Sequence, residues 1–236
     1  MSDTSTESEA EFLAVTRAAY DTVAANYAEQ LAGDLENHPF DRAVLGLYAE
    51  LVHAAPTVAA VTVADAEIGA GRPRVTEVGC GPGRITAHLA GLGLEASGID
   101  LSPAMVAEAG RRHPGIAFAV GSMTALDLPD GQLDGLVAWY SVIHVPPAEH
   151  RAVYAGFHRA LAPGGHLLLA FQCGDERRAI TDAYGHSGLR LDAYRLPPER
   201  VEEDLAAAGF AHVARLTRAP IGPEKNPQGY LIARAQ

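Results

Sequence analysis

The feature that most constrains the fold is a regular alternation of strand-like and helix-like segments between residues 74 and 172. Short apolar runs typical of buried strands are separated by amphipathic stretches with helical spacing. The strand-like runs, in order, are "RVTEVG", "LEASGID", "IAFAVG", "LDGLVAWY" and "HLLLAFQ". This order predicts an α/β fold with a mostly parallel sheet and helices on both faces.

Both ends of the chain extend this unit. Residues 199–236 read as a helix followed by the strands "HVARLTRAP" and "QGYLIARAQ", whose short connection makes them antiparallel. Apolar residues recur at helical spacing from Glu9 onward, so residues 9–64 predict an N-terminal helical segment. The polar, acidic residues 1–8 predict a disordered tail. We therefore expect a single domain over residues 9–236.

Composition narrows the possible partners. The 236 residues carry a net charge of −11, which disfavours nucleic acid and acidic membrane surfaces. Two cysteines and no long apolar run predict a cytoplasmic protein without disulfides and without a membrane partner. The ten histidines do not fall into metal-ligand spacings, so no metal site is expected.

A glycine-rich loop follows the first strand, in "TEVGCGPGRITAHLA". It lacks the Lys of a phosphate-binding P-loop and the third glycine of a dinucleotide fingerprint. A nucleoside without phosphates remains, because Gly79 and Gly81 allow close approach and Asp100, at the end of the next strand, can accept hydrogen bonds from ribose hydroxyls.

Four segments in order, "EVGCGPGRITAHL", "GIDLSPAMV", "LDGLVAWYSVIHV" and "LAPGGHLLLAF", resemble the class I S-adenosylmethionine-dependent methyltransferases of the small-molecule, bacterial type. The resemblance implies a Rossmann-like, seven-stranded sheet whose last strand is antiparallel, and S-adenosyl-L-methionine as cofactor. It places the cofactor-binding core at residues 74–172. One departure is Ser122, in "GSM", where many relatives carry an acidic residue.

The stretch "AYDTVAANYAEQ" resembles the lid helix of small-molecule methyltransferases, which implies that Tyr20 and Tyr27 close over the cofactor; two core aromatics are the alternative. The loop chemistry and the resemblance together predict a set of cofactor-binding residues. These are Tyr20, Tyr27, Glu77, Gly79, Cys80, Gly81, Gly83, Arg84, Asp100, Leu101, Ser102, Met105, Ser122, Met123 and Tyr140.

His144 is the candidate catalytic base, because its family position lies near the acceptor and an imidazole can take a proton at neutral pH. A structural histidine bonded to backbone is the alternative. The polar segment 173–198 is predicted to cap the substrate as a long loop. Its candidate acceptor-binding residues, with the end of the fifth strand, are Phe171, Gln172, Glu176, Tyr184, His186 and Tyr194, and Glu224 and Lys225 could reach the same pocket.

The expected function is methyl transfer to a hydroxyl group of a small molecule, a secondary metabolite. N-methylation and C-methylation are the next alternatives. An S-adenosylmethionine-binding enzyme that transfers no methyl group, such as a cyclase or hydroxylase, and a non-catalytic partner subunit also remain. The sequence does not decide between a monomer and a homodimer.

Overall fold

The computed structural model of the chain describes residues 3–55 and 71–236. The six helices described are α1 (Asp3–Gln30), α2 (Pro39–Ala54), α3 (Arg84–Gly91), α4 (Pro103–Arg112), α5 (His150–Ala160) and α6 (Pro198–Ala207). The strands described are β1 (Arg74–Val78), β2 (Glu95–Asp100), β3 (Ala117–Val120), β4 (Leu133–Trp139), β5 (Leu161–Gln172), β6 (Arg177–Ala183), β7 (His186–Tyr194), β8 (Phe210–Arg218) and β9 (Gln228–Ala235). Within these residues no helix is both long and apolar enough to cross a bilayer.

Seven strands form one sheet in the order β3-β2-β1-β4-β5-β9-β8. The neighbouring pairs from β3 to β5 are parallel, and β9 runs antiparallel to both β5 and β8. The predicted Rossmann-like sheet with an antiparallel last strand is therefore confirmed. In such a sheet the carboxyl ends of β1, β2 and β4 open on one edge, where ligands of α/β proteins bind.

Apolar side chains cover both faces of the sheet, which explains the continuous apolar runs of the central strands. On one face Tyr154 and Phe157 of α5 pack with Leu136 and Leu167. On the other face Tyr48 of α2 packs with strand residues and with α3. Every residue of β4 is buried, so the functional edge is built on a rigid centre.

The two peripheral segments differ from the sequence prediction. Helix α1 begins at Asp3, so residues 3–8 are helical where a disordered tail was expected. The acidic composition of this stretch suits a helix N-terminus, and each added residue gains a backbone hydrogen bond. The predicted lid segment extends to residue 64, and its residues 56–64 lie outside the described residues.

The segment after β5 is a β-hairpin and not the long loop that its polar composition predicts. Strands β6 and β7 pair antiparallel around a two-residue turn of Tyr184 and Gly185, whose φ angles are 51° and 80°. Two consecutive positive φ values are typical of a type I′ turn, which matches the twist of the paired strands. The turn places the Tyr184 ring 4.6 Å from the Tyr27 ring of α1, measured between centroids.

The Asp21 carboxylate of helix α1 binds the N-terminus of α4. Asp21 Oδ1 accepts from Ser102 Oγ at 2.5 Å and from the Ala104 N–H at 3.2 Å, at the N-terminus of α4. Val23 and Met105 are buried in the same contact, together with Leu189 of β7. Helix α1 therefore lies between α4 and the hairpin, over the edge where the parallel strands end.

Replacing Asp21 by Ala should loosen α1 while leaving the sheet folded. The change removes the only side-chain acceptor described for Ser102 Oγ and a cap worth about 1 kcal/mol. Hydrogen exchange of the α1 amides should accelerate several-fold, and exchange of the β4 amides should not. Asp21→Asn, which keeps a carbonyl acceptor, is the matched control. Equal α1 protection in wild type and Asp21→Ala would contradict this role.

Candidate active site

Asp100 joins the two loops at the centre of the site. Its Oδ2 accepts from the Gly81 N–H at 2.7 Å and its Oδ1 accepts from the Ser102 N–H at 2.9 Å. Burial raises the pKa of Asp100, and these two backbone N–H groups oppose the rise. A carboxylate has about four acceptor positions, so two backbone bonds leave capacity for a ligand with paired hydroxyls.

Glycine is needed at three positions of the loop after β1 for different physical reasons. Gly79 has φ +75°, and a Cβ there would lie 2.2 Å from the Cβ of Ser141. Gly83 has φ +80°, and its Cβ would meet the Phe118 ring at 2.6 Å. Both positions are therefore restricted by the protein itself. At Gly81 only Tyr27 lies within 4 Å, at 3.8 Å, so this glycine alone leaves open space beside Asp100.

A cavity, which we call the cofactor cavity, lies over this loop and the ends of β1, β2 and β4. Most of the predicted cofactor-binding residues line it, namely Tyr20, Tyr27, Gly79, Gly81, Asp100, Leu101, Met105, Ser122, Met123 and Tyr140. His144 lines it too. The Ser122 hydroxyl already accepts from the Thr124 N–H at 3.2 Å, so this residue both caps a turn and forms part of the wall.

Two other residues predicted to bind the cofactor lie behind the cavity wall. Glu77 is buried, and its Oε2 accepts from the Thr86 hydroxyl at 2.5 Å. Burial raises the pKa of Glu77 to about 8. Cys80 is buried beside Gly98, and burial raises the pKa of its thiol. Both side chains support the loop from beneath.

The remaining predicted residues outside the wall shape the adjoining helix ends. Gly83 is the N-cap residue of α3, and Ser102 caps α4 by accepting from the Met105 N–H at 3.1 Å. Arg84 faces the neighbouring cleft, where its Nη1 lies 3.5 Å from Asp34 Oδ2. These positions were predicted from motif alignment, which does not separate residues that hold a loop from residues that touch its ligand.

Sequence reasoning missed Trp139, Ser141 and Asp21. Trp139 and Ser141 line the cofactor cavity at the end of β4, and the Ser141 hydroxyl donates to the Val78 carbonyl at 2.6 Å. The signal available was the position of "WYS" after a buried strand, next to the glycine loop. Asp21 adjoins Tyr20 in the quoted lid stretch, but only the fold shows that it reaches α4.

A second, larger cavity, which we call the acceptor cleft, adjoins the first. It measures about 750 Å³ and lies between α1, the β6–β7 hairpin and the loop of residues 219–227. Tyr20, Tyr27, Tyr140 and His144 are walls of both cavities, so a group in the acceptor cleft can reach one in the cofactor cavity.

Gln172, Tyr184, Glu224 and Lys225 line the acceptor cleft. Phe171 does not, because its side chain is fully buried in the core and packs against Gly229. Side chains alternate along β5, so Phe171 and Gln172 lie on opposite faces of the sheet. The sequence prediction had included both as acceptor-binding residues.

The other three predicted acceptor residues also lie elsewhere. Glu176 accepts from Arg195 Nη1 at 2.9 Å at the base of the hairpin. The His186 Nε2 lies 3.3 Å from Asn26 Nδ2 and helps to hold the hairpin turn on α1. Tyr194 lines a groove on the other face of the hairpin. The sequence predicted a loop here, and a loop gives no basis for deciding which residues lie on which face of the hairpin.

His144 is held on both ring nitrogens. Nδ1 lies 2.7 Å from the Asp192 carbonyl oxygen, which can only accept, so Nδ1 carries the proton. Nε2 is then the acceptor for the Tyr20 hydroxyl at 2.6 Å. Burial lowers the pKa of His144, against the opposing effect of the Asp192 carbonyl. The imidazole is therefore neutral at pH 7, with its basic nitrogen directed at the lid tyrosine.

A buried polar network lies behind Tyr140. Tyr140, with φ +53°, donates to the Tyr230 hydroxyl at 3.4 Å, and Tyr230 donates to Asp41 Oδ1 at 2.6 Å. Arg218 Nε donates to the same Tyr230 oxygen at 3.0 Å, and its Nη atoms bind Glu224. Burial raises the pKa of Tyr140, so its phenol is neutral. The network fixes one wall shared by both cavities.

Comparison with known proteins agrees with this geometry. The sequence profile of a methyltransferase domain family matches residues 75–165. Residues 75–165 therefore form a methyltransferase domain, similar to those of the class I S-adenosylmethionine-dependent methyltransferases. A trans-aconitate 2-methyltransferase of Methylobacterium nodulans is 40% identical over 98 residues, which are 41% of this chain and 37% of that protein. A demethylmenaquinone methyltransferase of Beutenbergia cavernae is 36% identical over 97 residues, covering 41% and 40%.

The chain thus matches about two fifths of the length of these curated relatives. The fold likeness extends further. The structure of a complex of DhpI with SAH superposes with a TM-score of 0.65 and 23% identity, over 95% of this chain and 97% of that one. This likeness concerns the fold, including α1 and the terminal strands.

S-Adenosylmethionine is the cofactor that the methyltransferase match implies, and the residues of the cofactor cavity fit it. Asp100 has acceptor capacity for two ribose hydroxyls, and Gly81 leaves space beside it. Leu101 and Met123 supply apolar surface for a base. The indole Nε1 of Trp139, in the cavity wall, is buried and has no partner among the described residues, so a donor remains for a polar ligand group.

Glu77→Gln should alter the pH dependence of stability in a defined direction. The folded chain keeps the Glu77 proton up to about pH 8, while an unfolded glutamate loses it near pH 4.3. Wild-type stability therefore decreases as pH rises between these values, and Gln removes this dependence. Urea unfolding measures the free energy of unfolding of both chains. The value for the variant should rise relative to that of wild type by about 1.4 kcal/mol per pH unit between pH 5 and 8. A constant difference would show that Glu77 is ionised in the fold.

Proposed function

We propose that the protein transfers the methyl group of S-adenosylmethionine to a hydroxyl group of a small molecule, a secondary metabolite. The observation that carries the proposal is the position of a neutral His144 in the wall between the cofactor cavity and the acceptor cleft. The names of the two relatives given above also describe small-molecule acceptors. When bound, the cofactor supplies an electrophilic methyl group on a sulfonium.

The chain's own contribution is alignment and proton removal. Tyr20 and Tyr27 cover the cavity from α1, and Tyr140 is fixed from below by Tyr230. They exclude water and hold the acceptor oxygen in line with the methyl group, which provides a large part of the rate. A hydroxyl oxygen becomes nucleophilic as its proton leaves, so a base within hydrogen-bond reach is needed.

Tyr20 and His144 form a proton-transfer pair in this proposal. The acceptor hydroxyl would bind the Tyr20 oxygen. Its proton would move to that oxygen as the O–CH₃ bond forms and the S–CH₃ bond breaks, with S-adenosylhomocysteine as the leaving group. The proton of Tyr20 moves at the same time to His144 Nε2, which lies 2.6 Å away. Tyr20 thus ends neutral and His144 ends as imidazolium. The lone pair of Nε2 is already directed along this bond because Nδ1 donates to the Asp192 carbonyl.

Tyr20→Phe tests the pair and should reduce kcat about 10²-fold, since the phenol oxygen is lost while the ring still covers the cavity. His144→Gln should cost a similar factor, and the double variant should be little worse than either single one. The assay is release of S-adenosylhomocysteine with a panel of phenols, alcohols and hydroxy acids. Tyr154→Phe, which removes a buried phenol with no described partner in the core, is the matched control. A loss below tenfold in both single variants would exclude the pair as the base.

The pH profile of kcat/KM gives a separate test. Because burial lowers the pKa of His144, its acidic limb should lie below pH 6.5, with full activity at pH 7. The His144→Gln profile should lose this limb. A limb well above pH 6.5 that persists in His144→Gln would identify another base.

A further inference from the structure

We propose that the acceptor carries an oxyanion, of the carboxylate or phosphate type, and that Arg178 and Lys225 bind it in the acceptor cleft. The inference rests on the proposed function, because the cleft is assigned to the acceptor through its shared wall with the cofactor cavity. It adds a chemical class and two binding residues to that function. Neither residue is required for the proton transfer described above.

Arg178 and Lys225 line the cleft from two different elements. Arg178 belongs to β6, and Lys225 belongs to the loop between β8 and β9. Among the described residues neither side chain forms an ion pair or a hydrogen bond. By contrast, Arg177, Arg195 and Arg215, which are also exposed or near the surface, each hold a carboxylate within 3.1 Å. The two cleft cations therefore retain their full donor capacity.

Three of the four carboxylates that line the cleft have hydrogen-bond donors within the protein, and the fourth, Asp34, lies 3.5 Å from Arg84. Both oxygens of Glu224 accept from Arg218, at 2.5 and 2.7 Å. Asp41 Oδ1 accepts from Tyr230 at 2.6 Å, and Asp182 Oδ2 accepts from Thr181 at 2.6 Å. The donors of these bonds lie outside the lining of the cleft. Arg178 and Lys225, which form no such bonds, thus offer cationic donors to a ligand, although the chain as a whole carries a net charge of −11.

Arg84 adds a third donor to the same cleft. Its Nη1 atom is buried and forms no hydrogen bond, although Asp34 Oδ2 lies 3.5 Å away. A buried donor without a partner costs free energy, which a ligand oxygen can recover. An oxyanion presents several acceptor positions and can engage an arginine and a lysine together. A neutral acceptor could accept hydrogen bonds from these donors but would not compensate their charge.

The hairpin presents Arg178 to the cleft by strand alternation. Successive residues of β6 face opposite sides, so Arg178 and Asp182 line the acceptor cleft while Arg177 and Thr181 line the groove on the other face. Arg177 pairs there with Asp192 at 2.8 Å. Two adjacent arginines on one strand thus have different environments, and Arg177 supplies a control with the same charge at the neighbouring position.

The test is calorimetric titration of malonate and of inorganic phosphate into the full chain saturated with S-adenosylhomocysteine. Wild type should bind at least one of them, more weakly at high salt. Arg178→Gln and Lys225→Gln should each weaken binding about tenfold or more, and Arg177→Gln less than twofold. Malonamide, the neutral analogue of malonate, should not bind. The preference between malonate and phosphate identifies the type of oxyanion.

Two results would overturn the inference: no binding of either anion to wild type, or binding that the Arg178 and Lys225 variants leave unchanged. The proposed function is judged separately in the same experiment and in the methyl-transfer assay. Tight binding of S-adenosylhomocysteine, with methyl transfer only to neutral acceptors and unchanged KM in both variants, would reject the oxyanion and keep the function. Failure of S-adenosylhomocysteine to bind would reject the proposed function itself.

Discussion

The site depends on two hydrogen bonds that the Asp100 carboxylate accepts. One carboxylate accepts a backbone N–H from the glycine loop after β1 and another from the turn before α4. The Gly79 and Cys80 N–H groups add bonds to the Ile99 carbonyl, so the ends of β1 and β2 are fixed to each other. A parallel sheet brings these ends together, and Asp100 turns their proximity into a defined binding surface.

The layers above this surface are built by attachment to it. Ser102, which donates its N–H to Asp100, gives its hydroxyl to Asp21 of α1, so the lid helix is fastened to the cofactor loop. Helix α1 then holds the hairpin through Asn26, which donates to the Tyr184 carbonyl at 3.0 Å. His144 completes the connection, because it binds α1 through Tyr20 and the hairpin through Asp192. A ligand that moves one of these elements therefore acts on all three.

The sequence predicted the parts of the molecule whose residues are fixed by local geometry. Strand and helix alternation led to the sheet, and the spacing from the glycine loop to Asp100 led to the cofactor cavity. The hairpin was not predicted, because its first strand, β6, is polar and largely exposed, and an apolar pattern is the main signal for a strand. Its turn needs positive φ at Tyr184, a residue that seldom adopts it, so the usual turn signal was missing. Of the residues predicted to bind the acceptor within this segment, Tyr184 lines the acceptor cleft, and Glu176, His186 and Tyr194 lie elsewhere.

The side-chain pairs that give the site its chemistry come from residues far apart in sequence. Tyr20 and His144, or Arg218 and Asp41, meet only because the whole chain folds, and no local pattern relates them. Sequence reasoning named Tyr20 and His144 separately, one as lid and one as base. Their contact, and the tautomer that the Asp192 carbonyl imposes on His144, required the structure.

The central claim is that Asp100 and the glycine loop bind S-adenosylmethionine. Titration calorimetry of S-adenosylmethionine and S-adenosylhomocysteine tests it on wild type and on Asp100→Ala, with Asp100→Asn, which keeps one carbonyl acceptor, for comparison. Circular dichroism should show all three chains folded. The account predicts binding of both ligands by wild type in the micromolar range and a loss of roughly 10²-fold or more in Asp100→Ala, as two charge-assisted hydrogen bonds disappear. Affinity in folded Asp100→Ala within a few fold of wild type would contradict it.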